Sequence, residues 1–187
     1  MEIGPWYCVI TNCMCILPCV SLYKRELYGD CILYGSTGVV SFIYHMNKLI
    51  TNFLNDTGIR NSDIILANLS VFHTVHILYF YDNALRWNYT MAWLPIVIYT
   101  SECGLDVRFG IMIAYGLTII MYIFVQNYKY SLEWIIFGTL SIISELICFS
   151  FANKLHYVWL HGTHHILSFL SLYLFLKGIR PHEFITS

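Results

Sequence analysis

Seven apolar stretches alternate with short polar connections along the chain: Pro5–Tyr23, Cys31–Ile50, Asp63–Tyr81, Trp87–Thr100, Phe109–Val125, Leu132–Ala152 and Tyr157–Leu176. A helix crosses the hydrocarbon of a bilayer in about 20 residues, with a range of about 17–25. The first three stretches, the sixth and the seventh reach that length comfortably. The fourth is shorter and contains Pro95, which predicts a kink or a re-entrant segment. The first has no basic leader, and Lys24-Arg25 follow it, so it reads as a membrane helix and not as a signal peptide. The pattern predicts an all-α, polytopic seven-transmembrane-helix bundle forming a single domain over residues 1–187.

Composition sharpens this reading. Apolar residues make up 58% of the 187 positions and charged residues 11%, and the mean hydropathy is +0.62. Soluble domains carry about 25% charged residues, so the shortfall excludes an ordinary cytosolic enzyme, a disordered tail and a basic nucleic-acid module. The expected partners are membrane lipids, with no nucleic acid, because a net charge of −1 offers no field for polyanions. Four of the seven cysteines, Cys8, Cys13, Cys15 and Cys19, crowd the first stretch among Ile, Leu, Val and Met, and read as small packing residues.

Orientation follows from the basic residues. With seven spans, one face carries Lys24, Arg25, Arg86, Lys129, Lys177 and Arg180, and the other carries Lys48, Arg60, Arg108 and Lys154. This bias places the N-terminus outside or in a lumen and the C-terminus in the cytosol.

Ionisable groups inside lipid cost about 2.5–3.5 kcal/mol even on lenient scales, so their positions carry information. They are His45 in the second stretch, Asp63, His73 and His76 in the third, Glu145 in the sixth, and His161, His164 and His165 in the seventh. Ser41 and His45 are four apart, as are His161 and His165, and each pair therefore lies on one helical face. Two imidazoles at that spacing can share a metal. Threading puts Ser41, His45, Asp63, His161 and His165 at similar depth near one face of the bundle. Three imidazoles with an open fourth position make the donor set of a catalytic Zn²⁺ site, with Asp63 as base and Ser41 as oxyanion donor or orienting group. Glu145, alone in its span, needs a partner inside the bundle, for which a histidine is suited.

The Ser-x3-His, Asp, His-x3-His order resembles the CREST superfamily of seven-helix membrane proteins. The likeness is closest to the group that holds myomaker and the post-GPI-attachment phospholipase. It rests on Leu17-Pro18-Cys19-Val20-Ser21, Lys24-Arg25, Ser41 through His45, Arg60 through Ile65, Ser70-Val71, and Tyr157 through His161 with His164-His165-Ile166-Leu167. The resemblance implies zinc held by His45, His161 and His165, a functional Ser41 and Asp63, and hydrolysis of an acyl ester or amide of a phospholipid, GPI-type lipid or ceramide. Departures are visible. The group's His-Ala-Cys-Asp run reads His45-Met46-Asn47-Lys48 here, and Asp56 and Asn68 compete with Asp63 as the equivalent polar residue. Asp63 is preferred because a third helix starting at Asp56 is expected to bury Arg60, Asn61 and Ser62. Other readings remain: a myomaker-like scaffold or fusogen without enzymatic activity, a lipid receptor, and a di-iron hydroxylase suggested by His161-x-x-His164-His165.

Overall fold

The computed structural model describes residues 3–50, 56–80, 83–102, 131–152 and 157–178, with single positions 110, 114, 117, 118 and 121. Every regular element among the described residues is helical. In chain order these are α1 (Ile3–Thr11), a 3-10 turn (Asn12–Cys15), α2 (Ile16–Tyr23), α3 (Tyr28–Ile50), α4 (Asp56–Tyr79), α5 (Asn83–Ser101), α6 (Leu132–Ala152) and α7 (Tyr157–Gly178). The predicted fifth stretch, Phe109–Val125, lies outside the described residues apart from those single positions.

The first stretch is a broken rod and not one helix. Thr11 Oγ1 and Asn12 Nδ2 both donate to the Cys8 carbonyl, at 3.0 and 2.8 Å, in competition with the backbone. Pro18, four residues beyond Met14, brings no N–H for the Met14 carbonyl. The rod closes in a Schellman turn. Leu27 N–H bonds the Leu22 carbonyl at 3.1 Å, Glu26 N–H bonds the Tyr23 carbonyl at 3.0 Å, and Glu26 takes the left-handed conformation with φ 61°. Leu22 and Leu27 then join the same apolar core.

α4 begins at Asp56, seven residues before the expected start at Asp63. The expected cost is not incurred, since Arg60 and Ser62 stay exposed and Asn61 is only half-buried. α5 continues through Pro95 and is longer than the Trp87–Thr100 stretch.

α6 and α7 pack antiparallel, with Gly138 against the Phe175 ring and Gly178 against Trp134. α4 packs between α3 and α5, and the α1–α2 rod joins α3 to α7. Leu22, Tyr34, Val75, Leu78, Ile135, Leu172 and Leu176 form the shared core. Large apolar side chains such as Ile10, Ile32, Tyr99 and Leu140 face outward, whereas Asp30, His73, Arg86 and Thr90 are fully buried. Among the described residues two segments are long and apolar enough to cross a membrane, Trp6–Tyr23 and Leu132–Phe151, with mean hydropathies of 1.5 and 1.8. α3, α4, α5 and α7 carry polar side chains within their apolar runs, some buried, such as Asp30, His45, His73 and Arg86, and some exposed, such as Lys48, Arg60 and Asn88.

Close packing of the rod on α3 needs Gly38. A Cβ there falls 2.7 Å from Cys15 Cβ and 3.3 Å from the Asn12 carbonyl oxygen. Gly38→Ala is expected to lower stability by about 1–3 kcal/mol, read as a lower thermal midpoint in detergent. Cys15→Gly in the same chain should recover part of the loss, and an unchanged midpoint in the single variant would contradict this packing.

Candidate metal centre

The apolar runs that make α3 and α7 helical also fix which side chains share a face. On α7 the i, i+4 spacing stacks Tyr157, His161 and His165 in one column. Tyr157 lies nearly parallel to His161, with centroids 4.9 Å apart and planes 13° apart. α1 holds this end of α7 by close approach: a Cβ on Gly162 would sit 2.5 Å from the Tyr7 ring. Tyr7 OH hydrogen-bonds Thr163 Oγ1 at 3.1 Å, and Cys8 Sγ donates to the Val158 carbonyl at 3.1 Å. The α1–α2 rod in turn packs on α3, and so brings His45 to the α7 column.

The three imidazoles meet. His165 Nε2 is 3.2 Å from His45 Nε2 and 3.2 Å from His161 Nε2. The ligand atoms of all three lie within 4.8 Å of one another, so the group can hold a metal ion. For nitrogens about 2.0–2.1 Å from a tetrahedral ion, N···N distances are about 3.3–3.4 Å, close to the two short sides of this triangle. Hydrogen bonding alone serves such a triangle poorly, because each Nε2 offers either one proton or one lone pair. A shared cation accepts all three lone pairs at once. His45 is buried at 7% exposure, and His161 and His165 are half-buried.

His161 and His165 of the triangle line a cavity of about 320 Å³. Ser41 and Asp63 line it from α3 and α4, as does Asn68. The Ser41 hydroxyl is buried and makes no hydrogen bond to another described group. Asp63 and Asn68 thus both face the cavity, and the side chain of Asp56 lies outside the described residues. The rest of the lining mixes apolar side chains, Ile142, Leu146, Phe149, Phe169 and Leu172, with polar ones, Thr37, Ser70, Thr74, Glu145 and Ser168.

His164 does not join its neighbours. Its Nδ1 turns to Glu145 Oε1 at 3.6 Å, and the same oxygen accepts the Ser168 hydroxyl at 2.7 Å. The His161-x-x-His164-His165 run is therefore divided between two sites, and His45, His161 and His165 form the only group suited to a metal among the described residues.

A second polar cluster lies away from the triangle, where α3 begins, α4 ends and α5 begins. Asp30 Oδ1 pairs with His73 Nε2 at 2.6 Å, and Arg86 Nη2 donates to Asp30 Oδ2 at 3.0 Å. His73 Nδ1 and His76 Nδ1 both contact Thr90 Oγ1, at 2.7 and 2.9 Å. Sequence reasoning assigned Arg86 to a connection and passed over Asp30. The available signal was the need of buried His73 and His76 for partners at the same end of adjacent spans. Asp30, His73 and Thr90 repeat the acid–imidazole–hydroxyl order of a nucleophilic triad, but all three are at 0% exposure and none lines the cavity.

No family model matches the chain, and no curated protein matches it.

Proposed function

We propose that the chain is a seven-span membrane protein that binds zinc through His45, His161 and His165 and hydrolyses the acyl ester or amide of a membrane lipid. The observation that carries this reading is the convergence of three imidazoles, two of which, His161 and His165, line a cavity together with Ser41 and Asp63. The outward apolar faces support the lipid environment. The inferred topology puts this end of the bundle on the outer or lumenal side.

Zinc, when bound, supplies Lewis acidity to a carbonyl or water oxygen. Asp63 takes the proton of the attacking water and later returns it to the leaving group. Ser41, whose buried hydroxyl has no partner and lines the same cavity, orients the Asp63 carboxyl or donates to the developing oxyanion. Ile142, Leu146, Phe149, Phe169 and Leu172 on the cavity lining give a hydrocarbon chain apolar contact.

Asp63→Asn is expected to lower lipid hydrolysis by about 10²–10⁴-fold while zinc content is kept. The measurement is release of a labelled acyl chain from phospholipid and from ceramide by purified protein. Wild-type protein that carries zinc and cleaves neither lipid would overturn the hydrolase reading.

One observation favours a second reading. α3 and α7 pack chiefly on other helices, and the histidine triangle spans the gap between them. In a scaffold or fusogen of the myomaker kind the cation would act as a staple between α3 and α7. That reading expects full activity in a cell-mixing assay for Asp63→Asn, and the hydrolase reading does not.

A further inference from the structure

Two cysteines with no part in the metal centre face each other where α2 meets α3. Cys19 Sγ donates to the Cys31 carbonyl at 3.5 Å, and Cys31 Sγ donates to the Cys19 carbonyl at 3.5 Å. Each thiol thus lies against the residue that carries the other. A Cβ on Gly35, one turn along α3 from Cys31, would meet Cys19 Sγ at 3.7 Å, so that thiol rests on the Cys31–Gly35 face of α3. Both cysteines pack against the same apolar core, and both are free and half-buried. Among the described residues no other two cysteines make such reciprocal contacts.

A disulfide between two helices needs close backbones, with Cα atoms about 4.4–6.8 Å apart. The bare faces of Gly35 and Gly38 meet Cys19 and Cys15 and let the rod approach α3 closely. The pair also lies near water. Cys19 is four residues before the end of α2 and Cys31 three residues after the start of α3. Each is therefore about one helical turn from the connection, where Lys24 and Glu26 are exposed.

We propose that Cys19 and Cys31 are a reversible redox pair that forms a disulfide between α2 and α3. The oxidant is a small disulfide of the glutathione class. The thiolate of one cysteine attacks a sulfur of that disulfide, and one glutathione thiolate leaves. The thiolate of the other cysteine attacks the protein sulfur of the mixed disulfide and expels the second glutathione thiolate. One S–S bond breaks and one forms. The two protein thiols are oxidised, and the small disulfide is reduced to two thiols that take up the two protons. The inferred topology puts the Lys24–Glu26 connection in the cytosol, where disulfides are transient and serve in catalysis or sensing.

The α1–α2 rod joins α3 to α7, and the histidine triangle spans those two helices. The crosslink fastens the rod to α3 and so stiffens the frame that holds His45 against His161 and His165. This effect on the triangle rests on the zinc reading, whereas the crosslink itself does not.

In the experiment, the purified full chain in maltoside detergent is incubated with oxidised or with reduced glutathione. Free thiols are capped with N-ethylmaleimide, and disulfides are mapped by mass spectrometry of peptides. The oxidised sample should contain a Cys19–Cys31 linkage, and dithiothreitol should remove it. The linked chain should unfold about 5–10 °C higher than the reduced chain and release zinc to a chelator more slowly. Cys31→Ser should show neither difference between the two incubations. Absence of the linkage, linkage of Cys31 to Cys15 instead, or glutathione adducts alone overturns the pair. A linked chain with an unchanged midpoint and an unchanged rate of zinc release overturns the fastening of the frame. Wild-type protein that holds no zinc sinks the zinc reading, and the linkage is still read in that protein.

Discussion

Arg86→Ala is expected to destabilise the fold by about 3–5 kcal/mol, the usual cost of removing one partner from a buried ion pair. The guanidinium is fully buried, donates to Asp30 Oδ2 at 3.0 Å and to Asn83 Oδ1 at 3.1 Å, and also caps the Phe80 carbonyl at 3.2 Å. Without it, the Asp30 carboxylate keeps only the His73 imidazole as a side-chain partner among the described residues, at 0% exposure. The loss also removes the ion pair by which α5 reaches α3, leaving Trp87 packed on Gly29 as a contact between them. Thermal unfolding of the detergent-solubilised protein, followed by tryptophan fluorescence, reads the effect. Asp30→Asn combined with Arg86→Gln should lose less than Arg86→Ala alone, since it removes both charges and keeps hydrogen-bonding groups. A single variant as stable as wild type would show that this cluster does not hold the three helices together.

His165→Ala is expected to take bound zinc from one ion per chain to near none. His165 is the vertex of the triangle, 3.2 Å from each of the other two Nε2 atoms, so its removal leaves His45 and His161 as a two-donor set. Structural and catalytic zinc sites keep at least three protein donors. His164→Ala is the informative control. It lies next in sequence but turns to Glu145, and the chain carrying it should retain one zinc. Metal analysis after gel filtration decides between these outcomes. Equal loss in both variants would mean that the run acts as one undivided box, and retention in His165→Ala would refute the triangle. His45→Asn, expected to lose zinc as well, guards against a misfolded His165 variant.

The local part of this site was legible in the sequence. Helical repeat places His161 and His165, and likewise Ser41 and His45, on common faces whatever surrounds them. The alternation of apolar runs with charged connections was enough to locate six of the seven stretches as helices, with the fifth outside the described residues. Glu145 also met a histidine, as an isolated acid in an apolar span requires. Other features were not legible. The break at Asn12–Cys15 depends on two side chains competing for one carbonyl. The early start of α4 was misjudged because Arg60 and Ser62 emerge at the surface, where helix geometry costs them no solvation.

The sequence by itself determined a helical chain with polar residues placed at chosen positions inside apolar runs, since both follow from a 3.6-residue repeat and the cost of charge in an apolar medium. The tertiary structure decided which of those residues meet. Whether His164 joins the triangle or turns to Glu145, and whether Asp30 finds Arg86 across 56 positions of chain, depends on how each helix is rotated about its axis. That rotation is set by close approaches between distant segments, Gly38 on Cys15 and Gly162 on Tyr7. A neighbouring position on a helix differs by about 100° in direction, so a small change in such a contact selects a different imidazole.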